Sequence, residues 1–294
     1  MKTKLFLVSL LTLLVTTNMW AQEVQTDRNQ KYNITLGKVD YPHHGEKMSA
    51  GEAVGKIVTG VLTGQTSVQA TKYEEDVKAA IIKGLSGAYR FLYNDGLRSD
   101  NSTEDGSLVV EALITNIQAK SSSSTWKDKN DKVQVSTWYT GVVEAMLTLK
   151  DAKTGEVIAN PTVGGYGSGS AKYSTTDQAI RDAINKLASR VTAWLNQFKP
   201  LQANIIEGST TKKDKQKEVY IDLGSSEGAF KGLHMGVFVV KTVAEREAKS
   251  QIGKLKIEEV EGDDISLCKV VSGGKDIKSA IEAGANLRVY SIDK

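Results

Sequence analysis

The stretch from Val133 to Leu149 alternates apolar and polar side chains along most of its length. Val133, Val135, Tyr139, Val143, Ala145, Leu147 and Leu149 fall on one side, and Gln134, Ser136, Thr140, Glu144 and Thr148 on the other. A period of two belongs to a β-strand with one buried and one open face. Directly after it, Asp151-Ala152-Lys153-Thr154-Gly155 forms a tight, glycine-ended turn, and Glu156 to about Gly169 reads as the next strand. So short a connection joins antiparallel neighbours. Leu108 to Ala119 supplies a strand upstream, with the polar segment Ser121 to Asp131 as the loop between the two. Glycines 164, 165, 167 and 169 thin the last strand or mark the close approach of another backbone.

Two helices accompany this sheet. Thr71 and Glu74 make a capping-box pattern. After it, Tyr73, Val77, Ala80, Ile81, Gly84, Leu85, Ala88 and Leu92 recur at helical spacing. Thr175 and Gln178 cap a second run, in which Ile180, Ala183, Ile184, Leu187, Val191, Trp194, Leu195 and Phe198 share a stripe that ends before Pro200. Tyr32 to Tyr41 is a first strand. The expected fold is α+β, an antiparallel sheet with two helices packed on one face, over residues 22–200. Beyond the charged break Lys212–Lys217 come short strand-like runs at Val219–Leu223, Val237–Lys241, Lys254–Val260, Ile265–Val271 and Leu287–Ser291. Their even spacing predicts a small all-β barrel or sandwich over residues 201–294, with the boundary near Leu201 to Lys217.

The N-terminus carries Lys2 and Lys4, the apolar run Leu5 to Val15 and a polar stretch ending in Ala21. This is the pattern of a secretory signal peptide over residues 1–21, and the apolar run is shorter than the ~20 residues of a membrane-spanning helix. The mature chain is therefore expected to start near Gln22 and to work in the periplasm or outside the cell. With no cysteine at that start, a lipoprotein is not expected. The formal charge of +3 includes Lys2 and Lys4, so the mature chain carries 3 − 2 = +1. That balance gives no reason to expect nucleic acid as a partner. No second apolar stretch of spanning length occurs, and peripheral contact with an outer membrane stays open. Cys268 is the only cysteine, so no internal disulfide holds the fold, and its strand-like setting suggests a buried structural thiol.

Reactive side chains are sparse. The histidines are His43, His44 and His234, and none belongs to a metal-ligand spacing. Gly165-Tyr166-Gly167-Ser168-Gly169 stops short of a dinucleotide fingerprint because residue 170 is serine. Acidic pairs such as Asp263/Asp264 read as solvated faces. The expectation is a non-enzymatic chain with no catalytic residue, no cofactor and no metal. Trp126 and Trp138 flank the polar hairpin segment; Trp126 is the better surface residue, while Trp138 fits a core role equally well.

Two stretches carry a family resemblance. The run Leu108 to Phe198, with LKDAKTGEVI (149–158) and STTDQAIRDAINKLASRVTAWL (174–195), resembles the periplasmic domain of the curli assembly/transport (CsgG-like) family. VYIDLGSSEGAFKGLHMGVFVV (219–240), Gln251 to Leu255 and the closing Glu282 to Tyr290 resemble the C-terminal β-domain of the flagellar assembly protein T family. There Gly224, Gly228 and Gly232 occupy turn positions that tolerate positive φ. The resemblance implies an envelope protein that assembles with itself or with other envelope assembly proteins. Curli-type pores place long hairpins in the outer membrane, whereas Lys120 to Lys132 here lacks the apolar alternation of a lipid-facing strand. The candidate interface residues are Trp126, Gly224, Gly228 and Gly232. An alternative is a module that binds a surface polymer, peptidoglycan or another glycan, through Trp126, Tyr166 or Tyr173.

Overall fold

The computed structural model describes residues 28–41, 65–67, 70–95, 106–167 and 172–293. The signal peptide expected over residues 1–21, the His43–His44 pair and the glycine-punctuated stretch Gly51–Gly64 lie outside the described residues.

The first half contains β1 (Tyr32–Asp40), β2 (Gln65–Ser67), α1 (Glu74–Ser86), β3 (Phe91–Tyr93), β4 (Leu108–Lys127), β5 (Val133–Asp151), β6 (Val157–Ala159), β7 (Thr162–Tyr166) and α2 (Thr176–Phe198). Its strands form one sheet in the order β3-β1-β4-β5-β6, with β2 also beside β4 and β7 also beside β5. The expected antiparallel sheet is corrected in one respect: β1 runs parallel to both β3 and β4. The chain between β1 and β3 contains α1, and a helical crossover is what returns a strand in the same direction. The strand expected over Glu156–Gly169 is two pieces, interrupted at Asn160-Pro161, where the proline has no N–H for a ladder bond.

Both helices pack on one face of this sheet. Val77, Ile81 and Leu85 of α1 and Ile180, Leu187, Val191 and Leu195 of α2 join Ile34, Val110, Val143, Ala145, Leu147 and Leu149 in a single core. The approach of α2 is close enough to need two glycines beneath it. A Cβ on Gly141 would lie 2.1 Å from the Ala179 carbonyl oxygen, and one on Gly165 would lie 1.9 Å from that of Ala183. The Thr175 hydroxyl caps α2 by accepting from the Gln178 N–H at 3.3 Å. The other expected cap is not formed: a turn of 3-10 helix, Ala70–Tyr73, leads into α1, which has no side-chain cap. α1 also stops at Ser86, and Leu92 belongs to β3, where it is exposed.

The second half contains β8 (Gln202–Ala203), β9 (Ile205–Gly208), β10 (Thr211–Lys212), β11 (Lys215–Gln216), β12 (Glu218–Ile221), β13 (His234–Val243), β14 (Arg246–Val260), β15 (Ser266–Ser272), α3 (Gly274–Glu282) and β16 (Leu287–Ser291). Its main sheet is antiparallel throughout, in the order β8-β16-β13-β14-β15-β12-β9. The two end strands, β8 and β9, are separated only by Asn204, so the sheet nearly closes on itself as a barrel. Inward residues Val219, Ile221, Met235, Val237, Leu255, Ile257, Cys268 and Val289 fill it. The all-β expectation is corrected by α3, whose Ile277 is fully buried in the same core and meets the Gly253 backbone.

A polar joint links the halves. Arg28 Nη1 donates to Asp222 Oδ2 at 2.7 Å, and the Asn29 amide donates to the Gln202 carbonyl and to Glu227 Oε1, both at 2.8 Å. Asn29 Oδ1 accepts from the Gln202 N–H at 2.8 Å. Beside them the Tyr89 and Phe230 rings lie 5.5 Å apart. Among the described residues no helix is long and apolar enough to cross a membrane.

Candidate interaction surface

The helical layer ends before the sheet does. α2 begins at Thr176, and the bridge between Tyr139 and Tyr173 is the last pairing of β5 on that side. Farther out, Ser122–Lys127 of β4 and Val133–Trp138 of β5 pair with each other and with no other described strand. They form a two-stranded arm. The row that lines the core farther down continues along it, so Val133 and Val135 stand 62% and 64% exposed.

This corrects the loop expected at Ser121–Asp131. A run of serines carries no periodic signal of its own, but each serine is matched across the ladder: Ser121 with Tyr139, Ser122 with Trp138, Ser123 with Thr137 and Ser124 with Ser136, followed by Trp126 with Gln134. The Ser123 and Thr137 hydroxyls are hydrogen-bonded at 3.0 Å. Cross-strand partners, rather than intrinsic preference, settle strand formation here. Asp128 shapes the tip. Its Oδ1 accepts from the N–H groups of Asn130 at 2.8 Å and Lys132 at 3.0 Å, and its Oδ2 accepts from Gln134 Nε2 at 3.0 Å. These bonds, Asn130 first, hold its carboxyl below the usual carboxylate range.

Trp126 lies near the arm's end and is 54% exposed. Trp138, at the base, is half-buried, with Lys172 Nζ 4.4 Å from its ring centroid. The glycine candidates are far from both in sequence and sit in the barrel half. Gly228 and Gly232 have φ of +98°, which glycine adopts without strain. Gly224 does not; its φ is −125°, and its requirement is space, since a Cβ there would lie 2.1 Å from the Asp263 carbonyl carbon. The turn that carries them faces the first half of the same chain, through Glu227 to Arg28 and Asn29 and through Phe230 to Tyr89. The structure thus separates Trp126 from the glycine turn.

Elsewhere the polar chemistry is structural. Asp177 accepts from Lys72 Nζ at 2.7 Å, Arg181 Nε at 3.0 Å and Tyr73 Oη at 2.9 Å, and these donors hold its carboxyl well below the ordinary range. Arg181 also reaches Asp76 at 2.6 Å, across a shallow groove of about 270 Å³ between α1 and α2. That groove is lined by aliphatic and charged side chains and by Asn185, and contains no histidine, cysteine or serine. Burial pushes the Cys268 thiol up to about 12, which leaves it protonated and unreactive. Among the described residues no group of three or more His, Cys, Asp or Glu side chains is arranged to hold a metal ion.

No family's sequence pattern matches this chain, and no curated protein matches it. Solved structures similar to this chain include the following three. A neuraminyllactose-binding hemagglutinin homolog from Helicobacter pylori is 12% identical over 58% of this chain and 83% of its own, with a TM-score of 0.31. A Xanthomonas campestris protein of family DUF330 is 9% identical over 58% and 85%, with a TM-score of 0.30. Lipoprotein GNA1162 from Neisseria meningitidis is 14% identical over 57% and 97%, with a TM-score of 0.19.

Proposed function

We propose that this chain is a non-enzymatic, exported envelope protein that acts as an assembly or scaffold component by self-association through the β4–β5 arm. The observation that carries the reading is the pair of backbone rows on the arm, Ser122–Lys127 on one side and Val133–Trp138 on the other, which no described strand covers. Unpaired strand edges are templates for pairing with another chain. With two unlike edges, the β4 edge of one copy can meet the β5 edge of the next, a head-to-tail contact that gives a ring where the rotation closes and a filament where it does not. The signal-peptide pattern at residues 1–21, the scarcity of reactive side chains and the resemblance to curli-type assembly proteins support the same reading.

Co-expression of two differently tagged copies tests it. Full-arm copies should co-purify, and copies in which Asn-Gly replaces Ser122–Trp138 should not. Equal recovery of both would refute assembly through the arm. A second reading, binding of a surface polymer, is favoured by the solvent-facing ring of Trp126.

A further inference from the structure

Residues directly opposite each other on neighbouring strands project to the same side of a sheet, and every second residue along a strand does too. Trp126 is paired with Gln134, and Tyr166 with Val142. Gln134, Trp138 and Val142 are successive fourth residues on β5. Trp126, Trp138 and Tyr166 therefore all project from the side of the sheet away from α1 and α2. Each step, from β4 to β5 and from β5 to β7, moves one strand across and four residues along. With a rise of ~3.3 Å and a strand spacing of ~4.8 Å, each step is about 14 Å. The three aromatic residues form an evenly spaced diagonal.

The stations differ in character. Trp126 and Tyr166 are 54% and 51% exposed. The Tyr166 ring lies across Gly164, where a Cβ would come within 2.5 Å of its Cζ, and its Oη is fixed by Glu144 Oε1 at 2.9 Å. Consecutive glycines thus serve opposite faces: Gly165 admits α2 from below and Gly164 lets the tyrosine ring lie flat above. At the middle station Lys172 sits over Trp138, and the exposed Lys120, paired with Thr140, is a diagonal neighbour on the same face. Ser122, Ser124, Ser136 and Gln134 fill the interval toward Trp126.

We infer that this open face is a binding track for a linear acidic polysaccharide, with Trp126 and Tyr166 as stacking platforms and Lys120 and Lys172 as the cationic station between them. The inference rests on the polymer-binding reading above. Pyranose rings offer an apolar C–H face to an aromatic ring and a rim of hydroxyls to serine and amide side chains. Polar side chains separate the aromatic residues here, so the face lacks the contiguous exposed apolar patch that marks many protein-docking sites. The two ammonium groups at the centre complement sugar carboxylates. Glu144 stands at the Tyr166 end, held by Tyr166 and by Asn116 Nδ2 at 3.1 Å.

Titration calorimetry of the full-length protein with polygalacturonate fragments, and separately with neutral dextran, tests this. Polygalacturonate should bind with an affinity that falls as salt rises. Trp126→Ala and Tyr166→Ala should each weaken it about tenfold, as loss of an aromatic anchor does, while Trp126→Phe largely preserves it. Both positions are half-exposed, and thermal melts of each variant should match the parent if it is folded. Equal binding of dextran would overturn the acidic specificity and leave the polymer reading standing. Binding of neither polymer would overturn both. Undiminished affinity in the Trp126→Ala/Tyr166→Ala double variant would overturn the track.

Discussion

Gly165 and Gly106 are both glycines, yet different physics fixes each. At Gly165 the constraint is space: a methyl group would strike the Ala183 carbonyl of α2, a backbone atom that cannot move aside. At Gly106 nothing lies within 4 Å of the missing methyl, and the constraint is a φ of +86°. Gly165→Ala should therefore cost ~3 kcal/mol or more, as overpacking against backbone does, and Gly106→Ala about 1 kcal/mol of backbone strain. Urea denaturation of the two variants measures both, and equal costs would show that α2 is not seated as described. The glycines also show what single residues do and do not disclose. The run of them from 164 signals a thin strand in the sequence. Which glycine faces the helix and which the tyrosine is decided by strand register. Gly224 shows the opposite failure, since its turn-like setting conceals a packing requirement.

Among the elements, α2 and β5 were the most legible because each keeps its own period along most of its length. The arm was not, since half of it is a polar serine run whose strand partner lies across a hairpin turn. The parallel placement of β1 was equally hidden, being set by the crossover through α1 rather than by any residue in β1. α2 carries a pH-dependent anchor in Asp177, held by Lys72 first and then by Arg181 and Tyr73. A carboxyl lowered in the folded state adds stability above its unfolded pKa and loses it as pH falls through the folded value. Acid melts should show stability declining below about pH 4, and Asp177→Asn should flatten that decline while lowering stability at neutral pH. A variant with the wild-type acid limb would show that Asp177 contributes nothing there.

For the molecule as a whole, the two hydrophobic clusters meet at a joint of few residues. Asn29 is 3% exposed and reaches both Gln202 and Glu227. Asn29→Ala leaves those half-buried partners short of bonds, at a cost of about 1 kcal/mol. Calorimetry should then resolve two transitions where the parent should give one; a single unshifted transition would mean that the joint does not couple the halves. The barrel half was foreseeable from its evenly spaced strands, but its near-closure at Asn204 was not, because closure depends on strand order rather than strand number.

The decisive quantity is solution mass by light scattering, compared between the mature chain and the variant in which Asn-Gly replaces Ser122–Trp138. Ser121 and Tyr139 remain paired in that variant, and the core lies entirely below the cut. The intact chain should give a defined oligomer, and the shortened one a monomer with an unchanged melting temperature. A monomeric mass for both, or the same oligomer for both, would contradict assembly through the arm.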